Sequence, residues 1–161
     1  MQCDGTLTFT APADLCVDAG IQAALGGANP TGGIYSGPGV IDNGNGTTFS
    51  FDPSAAGVAV HTIQYDYTDI NGCSNSITAD IEVFALPVLT FTALPDLCID
   101  AGIQTTLGGA TPTGGIYSGT GITDDGNGTT YSFDPATAGA AVHTITYTYT
   151  DGNNCTVIIT D

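Results

Sequence analysis

The sequence predicts an all-β protein of two tandem β-sandwich modules, and three observations carry that reading. The chain repeats itself with a period of 82 residues, short alternating strands within one period are separated by Gly, Asn and Pro turns, and no helical spacing of apolar residues persists over three turns. Residues 7–73 align without a gap on residues 89–155, with 49 of 67 positions identical, so that Cys16 matches Cys98, His61 matches His143 and Cys73 matches Cys155. The repeat sets the expected organisation. An N-terminal segment 1–6 stands outside it, a first module spans 7–84, a short linker 85–88, and a second module 89–161 ends in a shortened last strand.

Each element of the first module has a local cause. Residues 7–10 alternate and stop at Pro12; residues 16–25 read as a second strand with Val17, Ala19, Ile21, Ala23 and Leu25 on one face. The glycines of 26–33 read as a turn before a short strand at 33–36. DNGNG at 42–46 is a tight turn of residues that tolerate positive φ, feeding a strand at 47–51 that Asp52 and Pro53 close. HTIQYDYTD, from His61, places Ile63, Tyr65 and Tyr67 on one face, and NGC then turns the chain into a last strand at 74–83. About seven short strands in some eighty residues, without a helix, is the pattern of an immunoglobulin-like Greek-key β-sandwich, so two tandem domains of that kind are expected. The chain has no Trp, and the core must rest on Tyr, Phe, Ile, Val and Leu.

Composition excludes much. There is no Lys and no Arg against sixteen acidic residues, a formal net charge of −16. Nucleic acid and anionic lipid then have nothing to bind to electrostatically, and a Lys Schiff base, an arginine clamp, a P-loop or a Lys–Asn isopeptide link has no residue to carry it. The counter-charges for so many carboxylates are solvent ions or a bound metal such as calcium. No apolar run approaches a bilayer span, and MQCDGTLTF lacks a basic start and apolar stretch, so an export signal is expected to have been removed or to lie outside this chain.

HTIQYDYTDINGC and HTITYTYTDGNNC, the first followed by SITADIEV, resemble the closing strands of PKD-like and HYR-like modules in large secreted proteins of the Bacteroidota. DLCVDAG, PTGGIYSGPGV and DDGNGTTYSFDP resemble a subgroup found as tandem copies in gliding-motility-associated and other cell-surface proteins. The resemblance covers nearly the whole chain. It implies immunoglobulin-like modules serving as a spacer, adhesin stalk or filament subunit outside the bacterial cell, with neighbouring repeats or subunits as partners and no membrane insertion. The alternative is an adhesive module that recognises a glycan or surface receptor through its loops.

Four cysteines fall into equivalent pairs, and the expectation is a structural disulfide Cys16–Cys73 and its counterpart Cys98–Cys155, each constraining the unfolded chain by roughly 4 kcal/mol. A metal site is the competing reading of those pairs. Cys3 has no repeat partner and is a candidate for a link to another chain. If Cys16 meets Cys73, then Asp18 and Asp69, and likewise Asp100 and Asp151, lie near each bridge and could hold calcium. The loop residues Asp42, Asn43, Asn45, Asp124, Asp125 and Asn127 resemble a calcium loop in composition but lack its spacing, which favours turn chemistry. Asn45, Asn127 and Asn154 sit in N-x-Thr sequons and are candidate glycosylation sites. His61 and His143 open a strand without a GxSxG elbow nearby, so they read as hydrogen-bonding residues at a strand edge and no enzyme is expected. The paired tyrosines read as core. The shortened last strand of the second module reads first as a truncated chain with a frayed end; the alternative is an open edge completed by residues 1–6 of another subunit, with Cys3 locking the contact.

Overall fold

The computed structural model describes residues 6–92 and 94–161 and divides the chain into two compact units, Met1–Ala85 and Leu86–Asp161. Residues 1–5, and with them Cys3, lie outside the described residues. Among the described residues the fold is all-β with two single-turn helices.

In the first unit the strands are β1 Thr8–Phe9, β2 Leu15–Cys16, β3 Gln22–Leu25, β4 Ala28–Asn29, β5 Ile34–Ser36, β6 Val40–Asp42, β7 Phe49–Phe51, β8 Ala59–Thr68 and β9 Ser74–Phe84, with helix α1 at Pro53–Ala56. One sheet has the order β2-β9-β8-β5, another β3-β7-β6, and β1 pairs with β4. β8 and β9 form the antiparallel backbone of the unit, in register from Ala59↔Val83 to Thr68↔Ser74. The alternation legible in HTIQYDYTD is the burial pattern of β8: His61, Ile63 and Tyr65 point inward, Thr62, Gln64 and Asp66 outward. Against them pack Phe49 and Phe51 of β7, Ile81 and Val83 of β9, and Tyr35 of β5, so residues of both larger sheets make one sandwich core.

The second unit repeats this with β10 Gln104–Leu107, β11 Ile116–Ser118, β12 Ile122–Asp124, β13 Tyr131–Phe133, helix α2 Pro135–Ala138, β14 Thr146–Thr150 and β15 Thr156–Thr160. Its sheets are β10-β13-β12 and β11-β14-β15, around a core of Ala110, Tyr117, Tyr131 and Tyr147.

Two local expectations change. The strand expected over 16–25 is two short strands, because the chain turns over residues 16–19 between them: the Ala19 N–H donates to the Cys16 carbonyl, and Gly20, which follows, takes φ 72°, a left-handed conformation cheap only for glycine. Asp52 and Pro53 do end a strand, but they also begin a helix. The Asp52 carboxylate accepts from the N–H groups of Ser54 and Ala55 at 3.0 and 3.1 Å, and Pro53 stands at a first-turn position where its missing N–H costs nothing. Asp134 and Pro135 repeat the arrangement.

The core is fastened by tyrosine hydroxyls. Tyr65 Oη accepts from the Gly33 N–H at 2.7 Å and donates to the Pro30 carbonyl at 2.8 Å; Tyr147 does the same with Gly115 and Pro112 at 2.8 and 2.7 Å. Gly33 is required there, since a Cβ would strike the Asp66 carbonyl and lie 2.5 Å from the end of the Tyr65 ring. Tyr131 is the exception. It occupies the position of Phe49, and its buried hydroxyl has no hydrogen-bond partner among the described residues; burial pushes its pKa up to about 12. Two substitutions of the same kind should therefore move stability in opposite directions. Tyr65→Phe strands a buried N–H and carbonyl and should cost about 1–3 kcal/mol in urea unfolding, whereas Tyr131→Phe removes an unpaired hydroxyl and should raise stability by up to ~1 kcal/mol.

Candidate functional site

Loop carboxylates and amides are the residues with functional potential, and the structure shows what each is bound to. Asp42 Oδ2 accepts from the Tyr35 N–H and Oδ1 from the Gly44 N–H, at 2.8 and 2.7 Å, and Asp124 repeats both bonds with Tyr117 and Gly126. Asn45 Oδ1 accepts from the N–H groups of Thr47 and Thr48 while its amide donates to Thr48 Oγ1 at 2.8 Å; Asn127 matches it. Asn43 and Asp125 bind the hydroxyls of Thr48 and Thr130. These groups close the DNGNG and DDGNG turns on themselves, the chemistry that their composition favoured. Asn45, Asn127 and Asn154 are all exposed, as a glycan acceptor must be, although the amides of the first two are already engaged.

The cysteine pairing is a correction. Cys16 lies opposite Phe84 at the end of β9, while Cys73 immediately precedes Ser74 at its start. Ten residues of strand at ~3.3 Å each put the two ends about 33 Å apart, and a disulfide needs Cα atoms within about 7 Å. Cys16–Cys73 therefore cannot form within the unit. Cys16, Cys73 and Cys155 are nonetheless each disulfide-bonded, and Cys98 is a free, exposed thiol, so the expected Cys98–Cys155 bridge is not formed either. Repeat spacing identifies which cysteines are equivalent but carries no information about which end of β9 each reaches.

The calcium set falls with the bridge. Asp18 sits two residues beyond Cys16 and Asp69 four before Cys73, at opposite ends of the unit, so the structure does not bring them together. In the second unit Asp100 lies beside Cys98 and Asp161, at the far end of β15 from the Asp151 turn. No group of three or more His, Cys, Asp or Glu with metal-binding geometry occurs among the described residues. Asp69 instead shapes the turn before β9, where its Oδ1 accepts from the N–H groups of Asn71 and Cys73 at 2.8 and 2.9 Å, and Asp151 does so from Asn153 and Cys155, both at 2.9 Å. The bond from Cys73 is the main reason that the Asp69 carboxyl is held below its ordinary pKa of 3.8.

His61 Nε2 is 2.7 Å from the Gly57 carbonyl and His143 Nε2 2.9 Å from that of Gly139, with Phe51 and Phe133 beside the rings. Tyr35, Tyr65, Tyr117 and Tyr147 are buried and form no surface platform. Sequence reading passed over Asp14, whose carboxylate accepts from the Glu82 N–H at 2.8 Å and so ties the segment before β2 to the end of β9. Its partner is 68 residues away, and no local signal marks such a bond. The helix caps did carry one, the Asp-Pro pair itself. No protein-family model matches the chain, and no match to a curated protein is found.

Alkylation of the unreduced native protein should label Cys98 and leave Cys16, Cys73 and Cys155 unlabelled, and peptide mapping should recover neither a Cys16–Cys73 nor a Cys98–Cys155 link. Asp69 has a depressed pKa when folded, so its charge stabilises the fold above the ordinary value and that contribution is lost as pH falls through the folded value. The melting temperature of Asp69→Asn should lie below that of the parent at neutral pH, and the gap should close as pH falls below 3.8.

Proposed function

We propose that this chain is an extracellular structural repeat protein, a spacer, stalk or filament subunit on a bacterial surface, built of two immunoglobulin-like Greek-key modules of the PKD-like and HYR-like kind and acting without catalysis. The observation that carries the reading is how the loops use their polar groups. In both units the same acids and amides, Asp42 and Asp124, Asn45 and Asn127, Asp69 and Asp151, are bound to their own backbone and so build loops rather than present them. A recognition loop leaves donors and acceptors free for its ligand. The near identity of the two modules fits an array, in which each copy repeats the same mechanical role.

Bonded cysteines suit an oxidising, extracellular compartment, and no helix among the described residues is long and apolar enough to cross a membrane. The partners of this reading are neighbouring repeats or subunits of the same protein, and its charge keeps nucleic acid away. The test is a glycan array joined to a cell-binding assay with the fluorescent chain. No selective ligand tighter than about 100 μM is expected, and a selective micromolar one would replace this reading with the adhesive alternative.

A further inference from the structure

Four asparagines precede a glycine, at Asn43, Asn45, Asn71 and Asn127. That pairing has a chemistry of its own. The backbone nitrogen of the next residue can attack the side-chain carbonyl carbon of an asparagine, and a glycine, having no Cβ, leaves the approach open. The sequence ranks the four pairs alike, but the fold surrounds them differently.

Three are held. Asn45 Oδ1 accepts from the Thr47 N–H, the Thr47 hydroxyl and the Thr48 N–H at 2.9, 2.9 and 2.8 Å, and its amide donates to Thr48 Oγ1. Asn127 repeats all four bonds with Thr129 and Thr130. Asn43 Oδ1 accepts from the Ser50 hydroxyl and its amide donates to Thr48 Oγ1, while the Gly44 N–H donates to Asp42 Oδ1 at 2.7 Å. Turning any of these carboxamides toward the following nitrogen breaks several bonds together.

Asn71 differs. It is exposed at the tip of the turn between β8 and β9, and among the described residues its carboxamide meets only the Asp69 carboxylate. The second unit holds a matching turn. The N–H groups of Asn71 and Asn153 donate to Oδ1 of Asp69 and Asp151 at 2.8 and 2.9 Å, and the next N–H, of Gly72 or Asn154, donates to the carbonyl of the same aspartate at 3.0 or 3.1 Å. Gly72 has φ 80° and Asn154 φ 64°, so one backbone serves both. The two turns thus share their geometry and differ in whether the attacking nitrogen belongs to a glycine.

We propose that Asn71 is a site of spontaneous modification by water, at which the carboxamide is converted to an aspartate or an isoaspartate. The Gly72 nitrogen bonds to Asn71 Cγ, the Cγ–Nδ2 bond breaks, and the Gly72 proton leaves with Nδ2 as ammonia. Water then opens the resulting succinimide at either of its carbonyls, so water is the only co-reactant. Either product places a second negative charge beside Asp69, and isoaspartate adds a backbone methylene inside the turn that leads into β9. This inference goes beyond the structural role proposed above and holds equally for an adhesin.

The test incubates the intact chain in mildly alkaline buffer made with heavy-oxygen water and follows label at each asparagine by mass spectrometry, after digestion with chymotrypsin because there is no Lys or Arg for trypsin. Asn71 should take up label at least about tenfold faster than Asn43, Asn45, Asn127 or Asn153. In urea with a reductant the four Asn-Gly sites should converge while Asn153 stays slow. Two exchanges complete the experiment: Gly72→Asn should slow position 71 to the rate of Asn153, and Asn154→Gly should raise Asn153 to the rate of Asn71. Each installs a residue that the other unit's turn already holds, so the fold is retained. Conversion at Asn43, Asn45 or Asn127 as fast as at Asn71 in the folded chain, a ranking of the four that survives unfolding, or an Asn153 that stays inert after Asn154→Gly would each overturn the proposal.

Discussion

The fold depends on a tyrosine hydroxyl that serves two backbone groups at once. Tyr65 reaches from the middle of β8 to accept the Gly33 N–H and donate to the Pro30 carbonyl, which would otherwise be buried polar groups without partners. That bond sets the approach of the PTGGIYSG segment, which brings Tyr35 against both the Tyr65 ring, with centroids 4.6 Å apart, and Phe49, also at 4.6 Å. Tyr35 in turn accepts the Ala28 N–H and donates to the Thr47 carbonyl, so one aromatic stack holds the segment around β4, the turn before β7 and the central strand. A Phe at either position would fill the volume and lose the fastening.

Sixteen carboxylates without a Lys or Arg would be expected to strain a small fold. Several are made structural by another donor. Asp14, Asp42, Asp52 and Asp69 all accept backbone N–H groups, which offsets the desolvation of both partners and requires no cation. The effect on titration follows from those bonds: the Thr137 hydroxyl and the first-turn N–H groups of α2 hold Asp134 below the ordinary carboxylate range, as the Cys73 N–H does Asp69. In an acidic chain of this kind the stability that these carboxylates contribute at neutral pH resides in turns and helix caps rather than in ion pairs, and it is lost there as pH falls through their folded pKa values.

How much of this was legible depended on whether the cause was local. The period-2 burial of β8, the DNGNG turn and the tyrosine core follow from neighbours a few residues apart, and the sequence displays them. The division of the 16–25 run follows from Gly20, whose conformational freedom is visible in sequence but whose use is decided by the packing of β2 beside β9. The Asp14–Glu82 bond and the cysteine geometry are non-local. Equivalence at 82 residues identifies which cysteines correspond, but the direction of β9 determines that Cys16 and Cys73 end up at opposite poles. The pairing inferred from spacing failed on that geometry, and the Asp18 and Asp69 that it was to bring together stand at opposite ends of the unit.

The two units also show that near identity in sequence does not impose identity in environment. Phe49 and Tyr131 occupy one position and are both fully buried, yet one introduces no polar atom and the other introduces a hydroxyl without a partner among the described residues. Cys16 and Cys98 stand in the same DLC segment, and one is bonded while the other is a thiol. The first difference lies in the residue itself, the second in what surrounds an identical cysteine. In a tandem protein the repeat thus makes residues formally equivalent without making their surroundings equivalent, and the chemistry of each copy is read from its own contacts.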